Sequence, residues 1–451
     1  MMKFGGAALQ NPDSIGKVTS VIKAMQGENL VVVVSAFGKT TRLLDSFFEM
    51  LSLGKIEAAM NIVIEKFSSL SLALCEETLD SKDLSECLSV VTEVIEELKS
   101  YVNAGGREWN SEDRDVIVSY GEIVTSRIIH FILNRENIKA DLLDARDMIL
   151  TDEKHRFASP DYKKSIEKIK EKVDKCHKVN ALALTQGFIA STPSGLTTTL
   201  GYEGSDLTAT FMGSCLNVER IEIYKSVPGI LTADPEILSE CRKIRKISYS
   251  FAEKLAYLGS KILHRNAIKP AKEKNIPIEI KNIHKPDDVG TIIGKFDSNG
   301  DNSAFSVIGH PDGTLLSLRF PAEHNLNGSI RIESILAQWD IVNVPIQSND
   351  NFPQWFLTEK VLAKAALHQL KEAGAVFMAE EVSMIGILCD SLSENGYTQM
   401  IKETLDEQYV DLVTSIAMPD MSIMVVLREQ FKKVYASLHR KLLEYPVAAS
   451  N

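Results

Sequence analysis

The feature that most restricts the fold is an uninterrupted apolar run near the N-terminus, one leucine and four valines at residues 30–34. β-Branched residues favour strands, and a run without polar alternation suits a strand covered on both faces, as in a parallel sheet. Before it, residues 2–6 predict a short buried strand that ends in two glycines. Between the two strands, Asn11-Pro12 predicts the start of a helix, with asparagine as the cap and proline at the first helical position. The chain therefore opens as a βαβ unit, which indicates an α/β fold.

Length and composition limit the number of domains and the kinds of partner that this chain can have. At 451 residues the chain has room for two or three domains, and its 44 % hydrophobic and 25 % charged residues are ordinary for a globular protein. Fifty basic against 61 acidic residues give a net charge of −11, which argues against nucleic acid as the partner. No apolar run approaches the roughly 20 residues that span a membrane. The six cysteines are scattered without a CxxC, so we expect no zinc site, no disulfide scaffold and a cytoplasmic location.

The pattern along the chain indicates a large N-terminal domain followed by two small ones. Residues 43–105 and 114–134 predict helices, and residues 140–143, 181–185 and 220–224 predict further core strands. Residues 287–302 are rich in Gly, Asp and Asn and predict a linker. Beyond this linker the order β-α-β-β-α recurs, which indicates an internal duplication. We therefore predict domains at 1–295, 303–378 and 379–451.

One stretch is the strongest candidate for a ligand site. A threonine run at 197–199 predicts a strand, Gly201 and Gly204 predict a tight turn, and a helix follows that Ser205 or Asp206 can cap. Glycine-rich turns at a helix N-terminus bind anions, because free N–H groups and the helix dipole both favour negative charge. A capped turn without a ligand is the commoner meaning of such a stretch when it stands alone. Here the turn-rich loop 225–236 also follows a predicted strand, where open α/β sheets place their ligands.

Taken in order, these motifs resemble those of aspartate kinases, members of the amino acid kinase superfamily with C-terminal tandem ACT domains. The resemblance covers nearly the whole chain and implies an amino acid kinase-like three-layer sandwich around a mostly parallel sheet, plus two α+β ferredoxin-like ACT modules. The matching segments are residues 3–6, 34–36, 119–122, 185–189, 197–201, 204–206, 227–230, 232–235 and 259–264.

The resemblance implies transfer of the ATP γ-phosphoryl group to the side-chain carboxylate of L-aspartate, the first step of lysine, threonine and methionine biosynthesis. It makes Lys3 and Asp206 catalytic, and it implies Mg²⁺ held mainly through the phosphates, with no dedicated metal site on the protein. The implied substrate contacts are Ser35, Thr41, Glu122, Tyr202, Ser205 and Asp206. The implied nucleotide contacts are Lys3, Gly5, Gly6, Lys225, Ser226, Leu231, Asp234, Glu236 and Lys261.

Three departures from the family pattern leave alternatives open. Tyr202 stands where the family has an arginine that binds the substrate α-carboxylate, Ser226 replaces an aspartate, and Glu236 replaces a basic residue. The alternatives are a kinase of the same fold that acts on another small carboxylate or amino acid, and a non-catalytic, amino-acid-sensing regulatory protein. The ACT pair further implies a homodimer or larger homo-oligomer, and feedback by an amino acid such as lysine or threonine.

Overall fold

The structure is a computed structural model, and it separates into two compact units. The first comprises residues 1–229 and 266–294, and the second comprises residues 230–265 and 295–451. The structure describes residues 1–75, 81–104, 108–201, 203–260, 262–263, 265–296, 305–319, 335–336, 343–347, 353–358, 364–372, 376–389, 392 and 396–444.

The described residues form the following strands and α-helices. The strands are β1 Met2–Phe4, β2 Val31–Val34, β3 Ala140–Leu143, β4 Leu182–Gln186, β5 Ile189–Ser191, β6 Thr197–Thr199, β7 Ile221–Lys225, β8 Lys246–Ser248, β9 Ile278–Asn282, β10 Thr291–Gly294, β11 Phe305–Arg319, β12 Asn343–Gln347, β13 Gln354–Leu357, β14 Val376–Cys389, β15 Thr414–Ala417 and β16 Met421–Val426. The α-helices are α1 Pro12–Ala24, α2 Thr40–Ser52, α3 Ile56–Cys75, α4 Ser81–Asn103, α5 Ser111–Arg135, α6 Tyr162–Lys178, α7 Gly204–Leu216, α8 Tyr249–Tyr257, α9 Arg265–Lys274, α10 Lys364–Glu372, α11 Tyr397–Glu407 and α12 Arg428–Glu444.

The first unit is built on a mostly parallel sheet. Within this unit the strands lie in the order β3-β4-β2-β1-β7-β9-β10, and only β10 runs antiparallel to its neighbour. All four residues of β2 are buried, as the valine run predicts, because a central strand of such a sheet is covered on both faces. The hairpin of β5 and β6 forms a separate two-stranded sheet. The predicted α/β class is confirmed.

Local sequence signals explain where several helices begin. Asn11 caps α1 by accepting a hydrogen bond from the Ser14 N–H at 2.9 Å, as predicted.

Two other predictions are wrong. The cap position of α7 is Glu203, whose side chain makes no capping hydrogen bond, and not Ser205 or Asp206. The predicted linker at 287–302 contains β10, which pairs with β9 and so continues the sheet.

Helix α5 forms much of the core of the first unit. A capping box starts it, in which Asn110 and Asp113 exchange hydrogen bonds between side chain and backbone. Among the described residues it is the one helix whose length and composition would allow it to cross a membrane, although no such run was expected from the sequence. Of its most apolar window, 78 % is buried inside the protein, and core helices of globular proteins pass the same test.

The second unit contains a six-stranded antiparallel sheet in the order β12-β13-β11-β14-β16-β15. Its two longest strands, β11 and β14, pair with each other at the centre of this sheet. One half of the sheet contains β12 and β13 and the other half contains β16 and β15, and both long strands run through the two halves. Residues 305–310 of β11 pair with residues 384–389 of β14, and this end of β14 also pairs with β16. Residues 314–317 of β11 pair with β13. A register shift between His310 and Gly313 marks the change. The strand pairing thus interleaves the ranges 303–378 and 379–451, and the exact domain bounds stay a prediction.

The segment at 230–242 also belongs to the second unit. The Val307 N–H donates to the Thr232 carbonyl at 2.8 Å, and the Thr232 hydroxyl contacts His439 Nε2 of α12 at 2.9 Å. The Asp234 N–H donates to the Tyr435 hydroxyl at 3.0 Å, and that hydroxyl donates to the Val307 carbonyl at 2.9 Å. Ala233 lies in the same hydrophobic cluster as α11 and α12. Tertiary packing therefore assigns this segment to the second unit.

The close approach at Gly187 gives a stability prediction for the first unit. A Cβ atom built there would lie 2.4 Å from Ser205 Cβ and 2.8 Å from Ser205 Cα, whereas one at Gly16 in α1 would meet nothing within 4 Å. We expect Gly187→Ala to lower the free energy of unfolding by about 1–3 kcal/mol through overpacking. Gly16→Ala, the matched control, should raise it by about 0.5–1 kcal/mol. Urea unfolding of the wild type and both variants measures these changes. An unfolding midpoint of Gly187→Ala equal to that of the wild type would contradict the close packing of Gly187 against Ser205.

Candidate active site

The candidate site lies where four neighbouring parallel strands of the first unit end. Strands β4, β2, β1 and β7 are adjacent in that order and all run in one direction. Their carboxyl ends therefore meet at one edge of the sheet, where open α/β sheets bind ligands. Residue Lys3 of β1 and the last residue of β7, Lys225, both direct their ammonium groups to Asp206 in α7.

Asp206 is the centre of the site. Its side chain is 1 % exposed, and its two oxygens lie 2.5 Å from Lys3 Nζ and 3.1 Å from Lys225 Nζ. Burial alone would raise the pKa of Asp206, but the two ammonium groups lower it, so the carboxylate stays ionised. One buried carboxylate thus holds two cations, which leaves positive charge for a further anion.

A second carboxylate, that of Glu203, approaches the same lysine. Glu203 Oε1 lies 3.9 Å from Lys225 Nζ, and the Glu203 side chain is 18 % exposed. Burial raises the pKa of Glu203 to about 7; Lys225 acts against this shift and Asp206 adds to it. The Glu203 backbone is left-handed, with φ 53° and ψ 23°, directly before the first residue of α7.

The glycine pair after β1 packs against the loop after β2. A Cβ atom built at Gly6 would lie 2.7 Å from the Ala36 carbonyl oxygen, so only glycine fits without a shift. The Gly38 N–H donates to the Gly6 carbonyl at 3.4 Å. The same loop contacts α5, because the Phe37 N–H donates to the Thr125 hydroxyl at 3.0 Å. These contacts bring the ends of β1 and β2 onto the middle of α5.

Glu122 of α5 lies beneath this loop and is almost completely buried. Its Oε1 accepts the Ala36 N–H at 3.3 Å, whereas its Oε2 is buried and has no hydrogen-bond partner among the described residues. Burial raises the pKa of Glu122 to about 8, although the Ala36 N–H and the more distant Lys3 favour the charged form. At neutral pH Glu122 is therefore a buried neutral acid.

Asp115, which sequence reasoning missed, organises the strand that leads into the site. It is fully buried and accepts hydrogen bonds from the Thr199 hydroxyl at 2.7 Å, the Thr199 N–H at 3.2 Å and the Arg156 N–H at 2.9 Å. His155 Nδ1 lies 3.2 Å from it. Burial raises its pKa, and the Thr199 and Arg156 hydrogen bonds oppose the shift. In the sequence Asp115 belongs to the charged start of α5, beside Glu112, Asp113 and Arg114, so the local pattern does not single it out.

Comparison with known proteins settles the family. Residues 1–282, more than half of the chain, match the amino acid kinase family. The chain belongs to the amino acid kinase family. Among curated relatives it is 33 % identical over 303 residues to aspartokinase 1 (chloroplastic) of Arabidopsis thaliana, which covers 65 % of this chain and 52 % of that protein. It is 31 % identical over 297 residues to the bifunctional aspartokinase/homoserine dehydrogenase of Daucus carota, covering 64 % of this chain and 32 % of that protein. The chain thus spans about half the length or less of these relatives.

Solved structures show the same fold along the whole chain. E. coli aspartokinase III in complex with aspartate and ADP (R-state) matches with a TM-score of 0.79 at 24 % identity, covering 98 % of this chain and 99 % of that one. The same enzyme in complex with lysine and aspartate (T-state) gives 0.77 at 24 % identity, with 98 % of both chains covered. Clostridium acetobutylicum aspartate kinase gives 0.67 at 23 % identity, covering 97 % and 98 %. The expected kinase sandwich with C-terminal ACT modules is confirmed as the fold class.

The site residues predicted for this amino acid kinase separate into four groups. The structure brings together Lys3, Asp206 and Lys225, with Gly5, Gly6, Glu122 and Ser205 in the elements around them. Ser35 and Thr41 are half-buried around the loop after β2, and Ser226 is exposed after β7. Leu231, Asp234 and Glu236 belong to the second unit. Tyr202 and Lys261 lie outside the described residues. The roles of all these residues stay predictions.

The buried acid Glu122 makes stability depend on pH in a defined direction. Its pKa is about 8 in the folded protein, against an ordinary value of 4.5. The folded state therefore keeps a proton that the unfolded state loses between these values, so this group's contribution falls as pH rises from about 4.5 to about 8. We expect the free energy of unfolding of Glu122→Gln to rise relative to that of the wild type over this pH range, by on the order of a few kcal/mol at most.

Urea unfolding at pH 5, 6.5 and 8 measures this difference. Glu136→Gln, an exposed position at the end of the same helix, is the control and should show little pH-dependent gain. A difference between Glu122→Gln and wild type that stays constant across pH would contradict a neutral Glu122.

Proposed function

We propose that this amino acid kinase transfers the γ-phosphoryl group of ATP to the side-chain carboxylate of L-aspartate. The observation that carries the proposal is the pair of ammonium groups, Lys3 and Lys225, held on one buried carboxylate at the carboxyl ends of parallel strands. Two ammonium groups on one carboxylate suit the binding of a polyphosphate. Transfer of its terminal phosphoryl group depends on positioning and on charge neutralisation. Curated relatives named aspartokinase support aspartate as the acceptor.

The residues present fit the phosphates of ATP. At Gly6 a side chain would collide with the Ala36 carbonyl, and at Gly5 a Cβ atom would lie 3.3 Å from Lys3 Nζ, so glycines keep the backbone close to the lysine. The α7 N-terminus adds N–H groups and the positive end of its dipole. Mg²⁺ would be held mainly by phosphate oxygens, as the family resemblance implies.

The acceptor carboxylate needs no general base, because it is already ionised at neutral pH. One of its oxygens forms a bond to the γ-phosphorus, the bond from that phosphorus to the bridging oxygen of ADP breaks, and ADP leaves with the electron pair. Lys3 neutralises charge on the transferring group, and Asp206 holds the Lys3 ammonium in place. Ser35 and Thr41 supply hydroxyl groups toward the acceptor carboxylate, as the family resemblance implies.

Glu122 suits the ammonium group of an amino acid acceptor. Its buried Oε2, which has no hydrogen-bond partner among the described residues, is satisfied when a cation binds beside it. The acceptor's ammonium also favours the charged form of Glu122, so binding drives its proton into solution. An amino acid therefore fits this position better than a simple dicarboxylate.

A hydroxylamine-trapping assay for the acyl phosphate tests the function directly. With ATP, Mg²⁺ and L-aspartate we expect turnover by the wild type, and a loss of about 10²- to 10³-fold in Lys3→Met, because one fixed charge at the transferring phosphate is removed. Lys17→Met, at an exposed lysine of α1, should retain activity. Circular dichroism verifies that both variants fold. Nucleotide binding without turnover on aspartate would point to another acceptor, and absence of both would leave a regulatory protein.

Proton release tests the role of Glu122. At pH 7, one unit below its pKa of about 8, Glu122 is about 90 % protonated. Titration calorimetry with L-aspartate in buffers of different ionisation enthalpy should therefore report close to one proton released per site, and little at pH 9. Succinate, which has both carboxylates but no ammonium group, is the matched ligand control and should release almost none. Equal release by both ligands would contradict the assignment.

Regulation is proposed on the same resemblance. The second unit has the ACT-type fold, and an E. coli aspartokinase III structure contains lysine together with aspartate. We propose that an amino acid effector such as lysine or threonine binds this unit, and that the chain forms a homodimer or larger homo-oligomer. Inhibition of turnover by these amino acids, and light scattering, test the two proposals separately.

A further inference from the structure

Glu203 occupies a backbone conformation that its side chain does not favour. With φ 53° and ψ 23° it is left-handed, a region that costs an L-residue other than glycine roughly 1–2 kcal/mol. It stands at the cap position of α7, yet its side chain accepts no hydrogen bond from the helix. Neither backbone preference nor capping therefore explains a glutamate here. Strained residues of this kind concentrate at functional sites.

The Glu203 side chain lies among the charges of the candidate site. Its Oε1 is 3.9 Å from Lys225 Nζ, and Asp206 Oδ2 is 3.1 Å from the same nitrogen. The charged groups that face it are Lys225 from β7, Asp206 from α7 and Lys3 from β1. Asp206 is the nearer carboxylate and is also bound by Lys3, so Glu203 is a second, more distant partner of Lys225.

We propose that Glu203 is a specificity-determining residue of this site: its carboxylate attracts Lys225 alongside Asp206 and competes with the incoming phosphate for that ammonium group. The proposal rests on the proposed function for the identity of the anion. A polyphosphate carries enough charge to displace one carboxylate from a lysine. A weakly charged inorganic anion attracts the lysine less strongly than the carboxylate does, so it does not displace the carboxylate. Glu203 thereby selects against small competing anions.

The competition depends on pH. Above pH 7 Glu203 is mostly ionised and opposes phosphate, and below pH 7 it is mostly neutral and does not, because burial raises its pKa to about 7. The positive charge of Lys225 and Lys3 favours ionisation, and the negative charge of Asp206 opposes it. The effect of Glu203 on phosphate affinity is therefore largest above neutral pH.

ADP titration of wild type and Glu203→Gln at pH 8.5 and pH 6 tests the proposal. We expect Glu203→Gln to bind ADP about five- to tenfold more tightly at pH 8.5, as expected for one partly exposed charge. At pH 6 the ratio should fall below about twofold. The ratio of the two dissociation constants at each pH cancels the titration of ADP itself. Inorganic pyrophosphate is the second probe and should give the same pattern.

Two glycine variants separate charge from backbone strain. Glu203→Gly removes both, whereas Asn217→Gly relieves a similar left-handed residue, φ 51°, at the opposite end of α7 without changing charge. Both should raise the melting temperature, but only Glu203→Gly should tighten ADP binding.

The outcomes separate this inference from the proposed function. Equal or weaker ADP binding by Glu203→Gln at pH 8.5 would overturn the competition. If neither protein binds ADP, the nucleotide function fails, and pyrophosphate then decides the role of Glu203 alone: tighter binding by the variant supports it, and unchanged binding overturns it.

Discussion

Asp206 is buried at the start of α7, and its charge is tolerated only because lysines from two neighbouring strands reach both of its oxygens. Removal of one partner from a buried ion pair typically costs about 3–5 kcal/mol, since an uncompensated charge remains. The contact therefore fixes the position of α7 over β1 and β7 and also collects the positive charge of the site. Structural and chemical roles cannot be separated at this carboxylate.

The neighbouring acids differ because their surroundings differ. Asp206 has two ammonium groups and stays ionised, Glu203 shares one of them and titrates near neutrality, and Glu122 has only backbone N–H donors and stays neutral. Three carboxyl groups in one site thus have three protonation behaviours at pH 7. Groups whose environments separate their pKa values in this way are typical of sites that handle charged substrates.

Sequence reasoning predicted what depends on local pattern. The valine run, the Asn11-Pro12 start of α1 and the strand–turn–helix at 197–216 all form as expected, because strand and helix periodicity and capping act over a few residues. The cap of α7 was wrong because the left-handed Glu203 directly precedes the helix, so Ser205 and Asp206 lie inside its first turn. The role of Asp115 was missed because its partner Thr199 is 84 residues away. The placement of residues 230–242 likewise depends on α12, which contributes partners 201 and 207 residues further along the chain.

The shared strands β11 and β14 of the six-stranded sheet have a consequence for how this chain can be divided. Each strand contributes one end to the half that contains β13 and the other end to the half that contains β16. No single break in the polypeptide separates the two halves, since a cut between residues 319 and 376 leaves parts of both halves on each fragment. Recombination with a related gene would need at least two crossover points to exchange one half intact.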